Sequence, residues 1–558
     1  MPLQLTQRKS LLKSPGFISS AIVIAIYLIM CIFYKISLGS DDVAIQNILC
    51  GNMTGTPDGH VIFINYMLCF VISSLYKILP IVNWYSFILV CSITLSLCTI
   101  IYSTLKQLWQ YNIKIRIIGI ISCIIICMYL FQSFMVTLSF TNIAAISGIA
   151  LFYYLYLADN LTCKDILIIC SLYIFMSLRT ATYIQLLPFI LVVVVFRFIQ
   201  KKNNKSENGL YIGLLILSVI CCIIEFCSYT GIYSNLKELN EYEAQIDDFW
   251  ILPIYEDHTE LYNDLGMDYD DYRIMQLSYG LSDFFNIPTM RSLAEEVQRE
   301  IDVPLTTRLR QMKNDTKYMI SHSYSVFFWI IEIFTVLVGI ILILCSKKII
   351  NWFYAFCILG GALLEMLYLI YYRRLPKRVT FPILYIVLFM CIAYFIKNHS
   401  SIIRSTISHK LFLYRALILV YVILGIILFS KVFKSQISYA KATDKNQSIR
   451  SYFLENSANT YWLKRSFGDP LTFINAPHVN YYKLPGWLSE TPHWNIALDG
   501  QYPNKWDAIA NRKDMYFLLE DDDMLLIEQY LSSKGYDVKL QFETLTLDDQ
   551  TYTIWRFE

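Results

Sequence analysis

Residues 38–79 read LGSDDVAIQNILCGNMTGTPDGHVIFINYMLCFVISSLYKIL. The first half follows an apolar run, about Phe17–Leu38, and carries two adjacent carboxylates, Asp41 and Asp42. Ionisable groups at a membrane edge need a reason. A carboxylate placed there can act as a general base toward a hydroxyl, or as a metal ligand. The plainer reading is a solvated helix start, with Ser40 as N-cap and both acids facing the positive end of the helix dipole. The second half, Val61–Leu79, is apolar but interrupted, and its placement decides the topology.

The 558-residue chain is 56% hydrophobic and only 16% charged. Runs of roughly 20 apolar residues, the length a bilayer core demands, recur through most of it. That pattern defines a polytopic α-helical membrane protein. A net charge of +2 gives no global basic signal for nucleic acid. The cysteines lie mostly inside apolar runs (Cys91, Cys98, Cys123, Cys127, Cys221, Cys222) without a metal-ligand spacing, and read as small buried hydrophobes. Arg8, Lys9 and Lys13 precede the first run and no small-x-small cleavage site follows, as in an uncleaved signal anchor.

Eleven spans are expected, near Phe17–Leu38, Trp84–Leu105, Ile117–Phe134, Val136–Leu157, Ile166–Leu178, Tyr183–Ile199, Leu210–Tyr233, Tyr324–Cys345, Trp352–Tyr372, Val379–Ile396 and Leu411–Ser430. With Val61–Leu79 lying flat in the interface, fifteen Lys/Arg of the short segments fall inside and seven outside. If it spanned, nine would fall inside and thirteen outside. The positive-inside rule selects the flat arrangement. The expected protein is therefore a multi-pass cell-membrane protein with a cytoplasmic N-terminus and a transmembrane domain over 1–435. Its loops 39–83 and 233–323, and a small α/β domain over 436–558, are extracytoplasmic.

Loop 233–323 is acidic, with eighteen Asp/Glu against eight Lys/Arg. Its Asp264–Asp271 piece, DLGMDYDD, faintly resembles a calcium loop but lacks the D-x-D-x-D-G order and the closing Glu, so a solvated helical loop is the expectation. The tail alternates strand-like runs, Leu471–Asn475, Met515–Glu520, Val538–Leu547 and Tyr552–Phe557, with one helix near Asp521–Ser533. It carries no nucleophile motif, P-loop or dinucleotide fingerprint.

Arg373, Arg374, Lys377 and Arg378 sit in the outer segment YYRRLPKRVTFP, against the charge rule. Cations kept against that bias usually have a partner. An anionic headgroup or diphosphate fits, because arginine binds phosphate bidentately and stays charged. Snorkelling at a helix end is the plainer account. Arg179, at the outer end of another span, can join the same face. A carboxylate pair and a cationic cluster on one face are what transfer from a lipid-phosphate donor requires: a base for the acceptor hydroxyl, and cations for the charge building on the leaving phosphate.

On these residues the chain resembles the GT-C superfamily of membrane glycosyltransferases, particularly bacterial relatives of protein O-mannosyltransferases and lipid A aminoarabinose transferases. Span one is followed by Asp41-Asp42, where the family often has Asp-Glu. The loop runs through Asp58 to Gly59-His60, like the family's His-Pro-Pro point without the prolines, and then to the flat segment Val61–Leu79. Arg378-Val379-Thr380-Phe381-Pro382 keeps the Arg and Pro of the family's Arg-Tyr-x-x-Pro but not the Tyr. The resemblance implies a polyprenyl-phosphate sugar as donor, a glycan, lipid or protein acceptor, an extracytoplasmic site and Asp41 or Asp42 as base. It places Asp58, His60 and Arg179 in the substrate loops. It requires no cofactor, and a divalent metal, though compatible with the chemistry, has no ligand spacing to argue for it.

Two other classes fit the composition. Glu225, Glu332 and Glu365 are the acids set within spans, and a flippase or transporter of lipid-linked glycan would use Glu225 and Glu365 in a relay. A non-catalytic cell-envelope assembly protein would use the tail to bind partners.

Overall fold

The computed structural model describes residues 14–33, 36–53, 55–111, 137–158, 161–200, 205–248, 252–301, 303–322, 349–372, 376–404, 446–464, 471–474, 479–484, 502–548 and 550–558, with isolated positions between 113 and 124, between 329 and 340, and at 430 and 434. Six of the described helices are long and apolar enough to cross a membrane: Trp84–Leu108, Phe140–Leu157, Thr180–Gln200, Glu207–Ser228, Ile349–Tyr371 and Lys377–Tyr394. Such helices mark a membrane protein. The expected spans 117–134, 324–345 and 411–430 fall largely outside the described residues, and eleven spans are not what the described helices add up to.

The membrane-region elements are α1 (Pro15–Phe33), β1 (Ser37–Leu38), α2 (Ser40–Cys50), α3 (Tyr66–Ile78), α4 (Trp84–Leu108), β2 (Thr137–Leu138), α5 (Phe140–Leu157), α6 (Cys163–Met176), α7 (Thr180–Gln200), α8 (Lys205–Ser228), α14 (Ile349–Tyr371) and α15 (Lys377–Arg404). Helix α5 is the hub. It is apolar on every face and buried along nearly its whole length, as a helix surrounded by others must be.

Helices α4, α7 and α15 run parallel to α5. Ser96 meets Ser147 (3.0 Å), Thr104 meets Tyr153 (2.8 Å) and Gln107 donates to the Leu157 carbonyl (2.8 Å). Arg179 lies over the Phe140 ring at one end of α7 and Arg197 donates to the Leu155 carbonyl at the other. On α15, Phe389 packs edge-on to Tyr153, and Lys397 donates to the Tyr156 carbonyl (2.9 Å). The starts of α4, α5, α7 and α15 therefore share one end of the bundle. At the opposite end the buried Arg197–Glu207 pair (3.1 Å) ties α7 to α8.

Helix α3 has 13 residues, about 20 Å at 1.5 Å per residue, against a hydrocarbon core of about 30 Å. Its first end meets the α6–α7 junction, where Asn65 N donates to Ser177 O (3.4 Å). Its last end meets the start of α4, where the Tyr76 hydroxyl donates to Asn83 Oδ1 (2.6 Å). Both ends thus touch the same end of the bundle, so α3 lies across it, as the charge count of the sequence argues. β1 pairs in parallel with β2, Ser37 opposite Thr137 and Leu38 opposite Leu138.

The loop region forms a helical cap: α9 (Ser234–Asp248), α10 (Thr259–Asp264), α11 (Tyr269–Leu277), α12 (Ile287–Ile301) and α13 (Leu305–His322), with a core that includes Tyr262, Met275, Met290 and Leu293. Within DLGMDYDD the acids at 268 and 271 form a capping box. Asp268 caps α11, accepting from the Asp271 amide (2.8 Å), while Asp271 Oδ2 accepts from the Asp268 amide (3.1 Å).

The tail is a mixed sheet in the order β4-β3-β5-β7-β6, from β3 (Thr460–Leu463), β4 (Tyr481–Lys483), β5 (Met515–Leu518), β6 (Leu540–Leu547) and β7 (Gln550–Phe557), with α16 (Lys505–Asn511) and α17 (Asp521–Ser533). β4, β3 and β5 are parallel, and β7 is antiparallel to both β5 and β6. The expected strand Leu471–Asn475 is a correction: its described residues 471–474 stand outside this sheet. Leu471 N donates to Ile36 O (2.9 Å), and an isolated bridge joins Ile474 to Val82. This extended segment finds its backbone partners on the membrane region. Cap and tail dock through Tyr530, which donates to Asp271 (2.7 Å), and through Trp506, which donates to Asp283 (2.8 Å).

Helix α2 ends at Gly51 with φ 84°, and a Cβ there would lie 2.6 Å from Pro57 N and Thr56 C. Both the left-handed backbone and the close approach require glycine. Gly51→Ala should lower stability by about 1–3 kcal/mol, and a thermal-unfolding midpoint unchanged from wild type would contradict this reading of the turn.

Candidate functional site

Helix α2 starts after Gly39, whose extended backbone (φ −66°, ψ 166°) caps it without any side-chain hydrogen bond. Ser40 is the first helical residue, not the cap. Asp41 and Asp42 fall in the first turn, where the helix dipole favours negative charge. A helical step separates their directions. Asp41 is partly exposed at the end of the bundle, whereas Asp42 is 1% exposed.

Asp42 is held by two donors on one oxygen. The Tyr85 hydroxyl of α4 donates to Oδ1 (2.7 Å), and the Phe140 amide at the start of α5 donates to the same atom (2.9 Å). A Cβ on Gly39 would lie 2.9 Å from Asp42 Oδ2, so a side chain there would push the carboxylate from its present position. Burial raises the Asp42 carboxyl from 3.8 to about 7, with the neighbouring Asp41 charge pushing the same way. The Tyr85 and Phe140 hydrogen bonds oppose the shift.

The next turn of α2 continues the buried network. Gln46 lies four residues after Asp42, on the same face. Its Oε1 accepts from Asn83 Nδ2 (2.9 Å) and Ser86 Oγ (3.1 Å), while its Nε2 is buried without a partner. The Tyr76 hydroxyl donates to Asn83 Oδ1 and accepts from the Tyr85 amide (3.0 Å), closing a path back to Asp42. From the tail, Thr472 Oγ1 accepts from Asn83 Nδ2 (3.2 Å) and Phe473 O accepts from Asn83 N (3.0 Å).

Arg179 belongs to the same end. Its guanidinium sits 5.3 Å from both the Phe63 and Phe140 rings, and Phe140 carries the amide that binds Asp42. A second cluster lies three residues before Phe63. His60 Nδ1 is 2.6 Å from Asp58 Oδ1, and Nε2 is 3.3 Å from Ser228 O. The ring stacks on Tyr233 (3.7 Å, 8°), whose hydroxyl donates to Asp58 Oδ2. Burial and the Asp58 charge push the Tyr233 phenol up. Glu225 accepts from the Tyr66 amide (2.6 Å) and pairs with Lys237 (2.8 Å), which lies over the Tyr229 ring (4.2 Å).

Of the basic cluster, Arg373 and Arg374 lie outside the described residues. Lys377 and Arg378 occupy the first turn of α15 and are exposed. Gln185 of α7 donates to the Val379 carbonyl (2.8 Å), which fixes Arg378's neighbour against α7 six residues beyond Arg179. The fold thus brings Asp41, Asp42, Arg179 and Arg378 to one end of the bundle, with Asp58 and His60 beside them. Among the described residues, no group of three or more His, Cys, Asp or Glu side chains converges as a metal site. Sequence reasoning missed Tyr85, Asn83, Tyr76 and the tail's Thr472. Only Gln46, at helical spacing from Asp42, left a signal.

This geometry defines a class: a helical membrane protein whose bundle end holds a buried carboxylate under a polar cap. No protein-family model matches the chain, and neither a curated protein nor a solved structure is significantly similar to it.

The raised Asp42 carboxyl has a stability consequence. Between 3.8 and about 7 the folded state holds a proton that the unfolded state has lost. Stability therefore falls as pH rises through that interval and stays low above it, by up to roughly 4 kcal/mol. Asp42→Asn keeps an oxygen for Tyr85 and Phe140, so it should flatten this slope and raise stability at pH 8. Unfolding followed from pH 4 to 8 tests it, and an unchanged slope in the variant contradicts the assignment.

Proposed function

We propose that this chain is an inverting membrane glycosyltransferase, moving a sugar from a polyprenyl-phosphate donor to a cell-envelope acceptor on the extracytoplasmic face. The observation that carries this reading is the pairing, at one end of the bundle, of the partly exposed Asp41 with the anchored Asp42, close to Arg179 and on the face of Arg378. In this reading Asp41 is the base. It faces out, where an acceptor hydroxyl can reach it, while Asp42 has both donors on its buried oxygen and positions the turn. Asp41 takes the hydroxyl proton as the acceptor oxygen attacks the anomeric carbon. The bond to the donor phosphate breaks, and the phosphate leaves with the electron pair. Arg378 and Arg179, with Lys377 nearby, stabilise its growing charge. The N-terminus is cytoplasmic and the tail extracytoplasmic, in keeping with the fifteen-to-seven charge partition.

A transporter reading has less support. Glu225 is held by Lys237 and the Tyr66 amide near the capped end, which ties this acid to structural partners. Glu332 lies outside the described residues.

Asp41→Asn should abolish transfer, about 10²–10⁴-fold, with the fold intact, and Asp42→Asn should cost less. The assay is sugar transfer from a polyprenyl-phosphate donor by purified protein in nanodiscs. Wild-type rates in the Asp41→Asn, Asp42→Asn double variant would remove the enzyme reading.

In the same nanodiscs, Arg378→Ala should weaken donor binding and slow turnover, and Arg378→Lys should restore only part, since a point charge lacks the bidentate fork. Equal affinity in all three proteins would reduce the cluster to membrane anchoring. A cysteine at Asn504 on a cysteine-free background should be labelled in intact cells, and labelling only after permeabilisation would reverse the topology.

A further inference from the structure

The described tail segment 471–474 leaves its own domain to reach the membrane region, and its last two side chains face outward. Leu471 N is bound by Ile36 O, and Asn83 uses both its amide and its side chain on the segment. Ile474 is nonetheless 72% exposed and Phe473 46% exposed. Among the described residues, nothing covers these two large apolar side chains on an otherwise well-fastened strap.

Their neighbours identify what covers them. Ile474 bridges Val82, beside the exposed Ile81 and two residues before Trp84. Trp84 is the first residue of α4, a helix apolar and long enough to cross a membrane, and its indole donates to Leu79 O (3.0 Å). Tryptophan at the mouth of a span marks the headgroup level. Helix α3 continues the surface. Its buried face is Cys69, Ile72, Ser73 and Tyr76, while Phe70, Val71 and Ile78 are exposed. A helix lying across the bundle end with an apolar face turned out is built for the boundary between headgroups and acyl chains. Lys77, in its last turn, can snorkel toward phosphate. Through the bridge to Val82, two residues before Trp84 in the chain, the strap tip is continuous with this surface.

We propose that Phe473 and Ile474 form a membrane-inserting tip, which anchors the tail domain to the bilayer interface and keeps the strap seated on Asn83. The occupant is the lipid surface itself, at the acyl–headgroup boundary. The proposal rests on the membrane reading alone and not on any reaction. It also links two regions: the strap holds Asn83, which holds Tyr76, which binds the amide of the residue that fastens Asp42. Lipid depth and the geometry of the carboxylate turn are then coupled through one extended segment.

The test uses the full chain in nanodiscs of phosphatidylcholine with one-fifth phosphatidylglycerol, on a cysteine-substituted background. An NBD fluorophore is placed at Ile474→Cys and, as control, at Leu525→Cys on the exposed face of α17 in the tail sheet domain. Lipid carrying a nitroxide at the shallow acyl 5-position should quench the 474 probe by about half or more and leave the 525 probe near its starting intensity. Equal quenching at both sites, or a blue-shifted 474 emission that lipid nitroxide leaves untouched, overturns the proposal. The second outcome would mean that protein covers the tip. A readout on the native cysteine background guards against a misfolded variant. In Phe473→Glu, Ile474→Glu, exchange of the Leu471 and Asn83 amides should speed up about tenfold or more in nanodiscs, while the β6–β7 amides keep their rates. Unchanged exchange at both amides also overturns it.

Discussion

The Asp42 carboxylate holds together three stretches that are far apart in the chain. Tyr85 comes from the start of α4 and the Phe140 amide from the start of α5. A charged carboxylate taken from water is costly unless donors replace the lost hydration. Here two donors reach one oxygen, and burial still carries the group to about 7. The turn that presents Asp41 therefore has a single seat. Gly39 threads against Asp42, β1 pairs with β2 directly before it, and Gly51 closes the helix behind it.

The bundle that supports this seat is held by polar groups that stay inside helices. On α4 the hydroxyls of Ser92, Ser96, Thr99, Ser103 and Thr104 each donate to a carbonyl four residues back. That satisfies the groups where no water reaches, and the small side chains let α4 approach α5 closely. Ser96 and Thr104 then share hydrogen bonds with Ser147 and Tyr153 across the gap. At the far end Arg197 meets Glu207 and the carbonyls of Leu155 in α5 and of Ala158 just after it, so the charge is buried with its partners. One end of the bundle is closed by this pairing. The other end stays polar, roofed by α3, the Asp58–His60–Tyr233 stack and the strap.

Much of the membrane architecture was legible in the sequence, because a bilayer leaves few choices. Without water to satisfy the backbone, an apolar run of sufficient length has to be a helix. The Trp84, Phe140, Thr180, Ile349 and Lys377 helices start within a few residues of where hydropathy puts them. Charge counting argued for a flat course over Val61–Leu79, and the 13-residue α3 has both its ends at one end of the bundle. In the tail, alternation found β5, β6, β7 and α17, but it also chose Leu471–Asn475 as a sheet strand. That segment, Leu-Thr-Phe-Ile-Asn, is short and rich in apolar and β-branched residues, as a strand would be. Its hydrogen-bond partners, Ile36, Val82 and Asn83, lie more than 380 residues away in the chain, and no local pattern announces them.

Hydropathy and charge along the chain are enough to mark a helical membrane protein, to place its apolar runs, and to single out Asp41, Asp42 and the Arg378 cluster as charges needing a purpose. Hydropathy and charge are properties of single segments, and the bilayer acts on each segment separately. Tertiary structure alone decided that the two carboxylates differ, Asp42 buried and Asp41 partly open. The same holds for Arg179, which shares Phe140 with Asp42, and for the strap of the tail, which completes the network behind it. Those outcomes depend on which side chain meets which across the bundle. A difference of one helical step, about 100° in direction, separates a solvent-facing acid from a buried one, and only the packed neighbours settle which is which.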